Sequence, residues 1–375
     1  MDKILYWKII LKPYDLYNKI INKFGDINWS IISQYKYLTE NFIEKYEDNV
    51  NWEYISKYQK LSENFIEKHI DKIDGFYISE CQNFSEDFIE KHIDKIIWKC
   101  ILVQQKLSEN FIEKYSDKID WRIISSCQKL SEKFIEKYKN EVYWPYISQN
   151  QKLTEKFIEK HNNKINYEYI SRYQKLSENF IEKHRYKINW IYISSCQELS
   201  ENFMDKYENN VYWNYISQYQ KLSEKFIEKH KNNVHWNYIS QYQKLSEKFI
   251  EKYINKFEWN DIVTYQEISE NFIKKYEDKV DWNYISLCQK LSENFIEKYK
   301  YKINWAYIIK HQKLSENFIE KYKNYIIKYK KNIIKNNKIE ITQKICNILH
   351  IDYQIIFMLR NIKKYKDIFI LFDTI

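Results

Sequence analysis

Tryptophan recurs in this chain on a grid of twenty-three residues. Trp29, Trp52, Trp98, Trp121, Trp144, Trp190, Trp213, Trp236, Trp259, Trp282 and Trp305 fall on it, and Gly75 and Tyr167 fill its two remaining points. Thirteen units in unbroken register, from Ile27 to Tyr325, constrain the fold more than any other feature. A period of this size marks a supersecondary module that can bury its apolar face only against the next copy. The 375 residues are therefore not read as two or three globular domains, as length alone would suggest.

One unit, Val50 to Lys72, reads "VNWEYISKYQKLSENFIEKHIDK" and contains two helix starts. At the second, Ser62 is an N-cap, Glu63 sits at the positive end of the helix dipole, and Leu61 and Ile66 have the spacing of a hydrophobic staple. Ser or Thr fills this cap place in all thirteen units, and Glu always follows it. The first start has Asn51 as N-cap and Val50 stapled against Ile55, but Asn or Asp holds that cap in only some units. These signals predict one helix from Trp52 to Gln59 and another from Glu63 to about Ile70. Leu61, Phe65, Ile66 and His69 form one apolar stripe, and Trp52, Ile55, Tyr58 and Gln59 the facing one.

Helices of two turns are unstable alone in water, so packing between repeats must hold them. The expected fold is all-α: an α-solenoid of about thirteen 23-residue two-helix repeats with degenerate terminal caps. Residues 1–26 read as a worn N-terminal capping repeat with Trp7, Pro13 and Gly25, residues 27–325 as the solenoid, and residues 326–375 as a basic linker and helical cap. With Gly 2 and Pro 2, few turns of positive φ are expected.

The same scarcity of glycine excludes a P-loop, a dinucleotide fingerprint and a nucleophile elbow, so no enzyme and no cofactor is expected. His69, His92, His161, His184 and His230 share one place in the repeat, where the other units carry Tyr. A zinc ligand or general base does not alternate with a phenol, so these read as partly buried aromatics with a polar tip. Cys81, Cys127, Cys196 and Cys288 share another place, two to four layers apart, beyond the reach of a disulfide. Cys100 and Cys346 stand elsewhere, and the expectation is reduced structural thiols with no metal site.

The formal charge of +9 is concentrated between Lys321 and Lys338, which hold seven Lys and no acid, leaving a repeat body near neutral. Lys328, Lys330, Lys331, Lys335 and Lys338 are the candidate nucleic-acid contacts of this flank. The early apolar run "ILYWKIIL" is broken by Lys8 and lacks a cleavage site, and no stretch of 18 apolar residues occurs. No membrane span and an intracellular, non-secreted setting are expected.

Gln stands at one place, from Gln59 to Gln312, in twelve of thirteen units, where the first helix ends. Its amide is expected to pair with the neighbouring amide or to satisfy helix-end carbonyls, with a binding row as the alternative. Glu67 and Lys68 recur as a solvated charged stripe. Two variable places, four apart in the first helix, are the candidate partner-reading positions: Glu53 with Lys57, Arg122 with Ser126, Glu168 with Arg172, Ile191 with Ser195, and Asn283 with Leu287.

Over about residues 27 to 325, the elements Trp-x-x-Ile-Ser and Gln-Lys-Leu-Ser-Glu-x-Phe-Ile-Glu-Lys resemble short tandem-repeat proteins of giant DNA viruses of the mimivirus type and of some phages. The resemblance implies a viral origin and a host cytoplasm, and carries no activity or functional residues with it. Two functional classes follow from the residues: a scaffold that binds a protein partner through variable exposed positions, and a nucleic-acid binder using the basic C-terminal flank.

Overall fold

The computed structural model describes residues 29–34, 38–329 and 342–349, and all regular structure among them is helical. Thirteen pairs of short helices follow one another, from Trp29–Ser33 with Glu40–Lys45 to Trp305–His311 with Glu316–Lys321. The chain divides into two compact units between Asn189 and Trp190, seven pairs in the first and six in the second. Within each, the first helix of one repeat packs on the first helix of the next, as Trp121–Cys127 does on Trp144–Asn150. This is an α-solenoid, the expected fold. The N-terminal stretch, residues 1–26, and most of residues 326–375 lie outside the described residues.

Local chemistry sets the helix ends. Thr39, Ser62, Ser85 and their counterparts accept a hydrogen bond from the backbone N–H three residues on, always that of the repeat's Phe. Asn51, Asp74, Asp120 and Asn166 cap the first helices in the same way, while Ile97, Tyr143, Tyr212 and His235 start theirs with no side-chain cap. The first helix spans seven residues, Trp52–Tyr58, and the second six, Glu63–Lys68, shorter than the expected run to Ile70. His69 leaves the helix at φ −114, ψ 24, and its carbonyl then accepts from both Lys72 and Ile73, closing a tight turn at negative φ. No glycine is needed there, which is how a chain this poor in glycine turns so often.

The core is built on one plan from layer to layer. Ile55 and Ile66 are fully buried, and Val50, Leu61, Phe65 and Ile73 nearly so. Trp52, Phe65 and His69 form an aromatic triad with ring centroids 4.6 to 6.3 Å apart. Burial of one such side chain contributes about 1.5 to 3 kcal/mol, most of it offset by the entropy of ordering the chain. At Gly75, which stands in place of the tryptophan, the Lys95 carbonyl fills the room: a Cβ there would stand 2.3 Å from that oxygen.

Hydrogen bonds between repeats use the remaining polar positions. Buried Gln151 donates to the carbonyls of Ser125, at 3.1 Å, and Gln128, at 2.7 Å, and accepts from the Leu130 N–H at 2.9 Å. Gln174, Gln220 and Gln243 do the same in their own layers. The partners of these three amides are backbone groups. Each holds the helix end and the link of the preceding repeat, the second of the two structural roles expected for this row. Ser56, fully buried, donates to the Trp52 carbonyl at 2.7 Å and accepts from the N-cap N–H of Asp74 at 3.0 Å. Glu155 accepts the N–H of the next repeat's cap, Ser177, at 2.5 Å and its hydroxyl at 3.0 Å. The Ser-Glu pair is thus a clamp between layers as well as a helix start.

The clamp also seats the C-terminal helix Gln343–Leu349. Thr342 caps it, and its hydroxyl donates to Glu316, while Lys344 pairs with Glu320 at 2.8 Å. Ile345 and Cys346 are buried beneath it.

Replacing Gln151 with Leu leaves two carbonyls and one N–H buried without a partner. The substitution is expected to cost on the order of 3 kcal/mol, at about 1 kcal/mol or more for each orphaned group. Urea titration should show the loss, against a neutral exposed control such as Lys152→Gln.

Candidate functional site

The first helix of each repeat turns one edge outward. Glu53, Arg122, Glu168, Arg172 and Asn283 are exposed there, whereas Lys57, Ser126, Ile191, Ser195 and Leu287 are half-buried. Where the next layer overlaps the C-terminal end of the helix, a later member such as Lys57 is drawn into contacts between repeats, although Arg172 stays exposed. Lys57 lies 4.8 Å from the ring of Tyr77, and the equivalent Gln241 donates to Asp261 at 3.2 Å. Ser126 and Ser195 bond back to their own helices, to the carbonyls of Ile123 and Ile191.

Earlier members are also engaged in part. Arg122 lies over the ring of Tyr143 at 4.9 Å, and Asn283 accepts from the Asn304 amide at 2.9 Å. The structure therefore places the candidate residues on one outer edge but binds several of them into the scaffold itself.

Sequence reasoning missed the residue beside them. Tyr58 was assigned to the inward stripe, and the structure turns it out, 44% exposed. Its counterparts Tyr219, Tyr242 and Tyr265 are 53 to 55% exposed. A seven-residue helix cannot bury Trp52, Ile55, Tyr58 and Gln59 together, since a buried Gln59 at the C-cap rotates Tyr58 outward. The signal was present in the letters: this place holds Tyr, Cys, Gln, Asn and His in different units, a mixture no core position accepts.

In the second compact unit these tyrosines join a face with its own character. The segments "YWNYISQY", residues 212–219, and "HWNYISQY", residues 235–242, contain no charged residue. Tyr212 is 48% exposed, Asn214 and Asn237 are exposed, and Gln218 and Gln241 half-buried. Tyr215 and Tyr219 stack at 6.3 Å, as do Tyr238 and Tyr242 at 6.2 Å edge to face. Between the layers lies a cleft of about 500 Å³ lined by Ile191, Tyr212, Asn214, Tyr215, Gln218 and Tyr238.

The histidine place behaves as a polar-tipped aromatic. His161 is buried against Trp144 and Phe157, with its Nε2 2.7 Å from Glu136 of the preceding repeat. Tyr253 and Tyr322 hydrogen-bond the corresponding Glu228 and Glu297. In these three layers imidazole and phenol each present a ring to the core and a polar tip to the same carboxylate place.

All six cysteines are free thiols. Among the described residues, no group of three or more His, Cys, Asp or Glu is placed to hold a metal ion. No helix among them is long and apolar enough to cross a membrane. Of the basic flank, Lys328 is exposed in the turn Ile327–Tyr329, and Lys330, Lys331, Lys335 and Lys338 lie outside the described residues. Comparison of the chain with protein families, curated proteins and solved structures finds no match.

Glu136 is held down to about 2 by hydrogen bonds from Lys160, then His161, with Lys139 adding a third. Its ordinary value is 4.5, so the folded state binds the proton more weakly than the unfolded chain. The stability it contributes is complete above about pH 4.5 and is lost as pH falls toward 2. Urea midpoints measured across this window should fall more steeply for the native chain than for Glu136→Gln.

Proposed function

We propose that this protein is a non-catalytic scaffold that binds a partner protein through the tyrosine and amide face of residues 212–265. The observation that carries the reading is the row of Tyr219, Tyr242 and Tyr265, each more than half exposed, one per layer. Tyrosine gives a large contact area with only two side-chain torsions to freeze, and neighbouring Asn and Gln supply adaptable hydrogen bonds. Protein-binding surfaces use the same combination. The cleft of about 500 Å³ beside Tyr212 offers a pocket for one anchoring side chain of the partner. Variation between layers then gives each repeat its own portion of an extended ligand to contact.

Because the face has no charge over residues 212–219 and 235–242, association should depend weakly on salt. A nucleic-acid complex formed by the basic flank would lose affinity steeply over the same range. On the resemblance to giant-virus repeat proteins, the partner belongs to an infected host cell.

The test is affinity purification from the producing cell with the native chain and with Tyr219→Ser, Tyr242→Ser, Tyr265→Ser combined. The triple variant should keep its stability to within about 0.5 kcal/mol per site, since the residues are exposed. It should lose partner affinity by at least about tenfold, as truncation of interface tyrosines does. Undiminished recovery of the same partners by the folded triple variant would refute the proposal.

A further inference from the structure

Along the second helices, a lysine reaches the carboxylate twenty-four residues before it. Lys229 meets Asp205 at 2.6 Å, Lys275 meets Glu251 at 2.7 Å, and Lys321 meets Glu297 at 2.5 Å. The same register carries Lys298 toward residue 274, and residue 274 is a lysine. Among the described repeats this place is otherwise Glu or Asp, from Glu44 to Glu320. The register thus sets two lysines opposite one another where the other described layers set a lysine opposite an acid.

Other contacts of this layer follow the regular pattern, as Lys302 with Glu277 and Trp282 repeats Lys72 with Glu47 and Trp52. Tyr253 and Tyr322 hydrogen-bond the carboxylate twenty-five residues before them, but Tyr299 turns instead to Glu277. Lys298 rests over the Tyr299 ring at 5.0 Å, and neither Lys274 nor Lys298 forms an ion pair among the described residues. Lys302 stands 3.9 Å from Glu277, the acid among the residues lining the cleft, and lies over Trp282. Lys274, Lys298 and Lys302, with Glu277, Tyr299 and Tyr301, line a cleft of about 440 Å³.

We propose that this cleft binds a phosphate-type oxyanion between Lys274 and Lys298, taking the position that a carboxylate occupies in the other layers. A dianion matches two unpaired ammonium groups, whereas a single carboxylate would leave one of them unbalanced. Lysine suits this role because it acts as a point charge that can follow a tetrahedral group. The cleft is several times larger than one oxyanion, and the exposed ring of Tyr301, 82% accessible, stands at its edge. Room therefore exists for whatever carries the phosphate. The ligand chemistry is a phosphate dianion, either free or as a monoester on a protein side chain. The site is separate from the tyrosine face and does not depend on it.

The test uses the full chain and calorimetric titration at matched ionic strength. The probes are inorganic phosphate, a short peptide carrying phosphoserine, and the same peptide without the phosphate. Native protein should bind the phosphate-bearing probes and not the plain peptide. Lys274→Glu restores the charge pair of the other layers, so it should raise the melting temperature without ligand and weaken phosphate binding at least tenfold. Lys298→Gln should weaken binding comparably without that rise. Tighter binding of the phosphopeptide than of inorganic phosphate would identify a protein-borne group, and equal binding a free oxyanion; either supports the site. Absence of phosphate binding by the native chain, or unchanged binding by both variants, would overturn it.

Discussion

One buried side chain holds each layer to the one before it. The glutamine at the end of the first helix accepts from one backbone N–H and donates to two backbone carbonyls of the preceding repeat, as Gln220 does with Leu199, Ser194 and Gln197. Those groups belong to the link between helices, which has no regular ladder of its own. In an isolated repeat they would turn to water and the link would lose its shape. A buried polar group without a partner costs more than the bond it forfeits, which makes the arrangement restrictive as well as stabilising. The sideways bonds of Ser56 to Asp74 and of Glu155 to Ser177 extend the same dependence to both helix starts.

With the inner surfaces committed in this way, freedom to vary is left to outer positions, the edge of the first helix among them. There the repeat tolerates Tyr, Cys, Gln, Asn or His at one place and almost any residue at the neighbouring one. The proposed partner face uses that edge, where Tyr219 and Tyr242 stand exposed in charge-free stretches. Lys274 shows the complementary case: one substitution within an otherwise regular charged ladder changes a structural pair into a local excess of positive charge.

Much of the fold was legible in the letters. The cap at Ser62, the Glu after it, the staple of Leu61 with Ile66 and the period of the tryptophans all concern residues a few positions apart, and their physics is local. The reading of Tyr58 failed because the helix proved too short for a four-residue apolar stripe, and burial of Gln59 decided the rotation. The Ser-Glu pair was only half read: helix capping already accounted for both residues, so nothing pointed to a second role toward the next layer. Lys57 and Ser126 seemed free surface positions because the overlap of the following helix leaves no trace within a single unit.

The amino-acid order settled the module, its length, its two helix starts and its need for neighbours, since these follow from capping, periodicity and the instability of two-turn helices. The offset at which one layer sits on the next came only with the tertiary structure. That offset pairs residues 18 to 26 positions apart, as Asn51 with Ser33 and Gln59 with Ser33, and it is set by side-chain packing across the interface. No rule about neighbouring residues contains it. It determines which glutamine atoms meet which carbonyls, which tyrosines face outward and which lysine stands opposite another lysine.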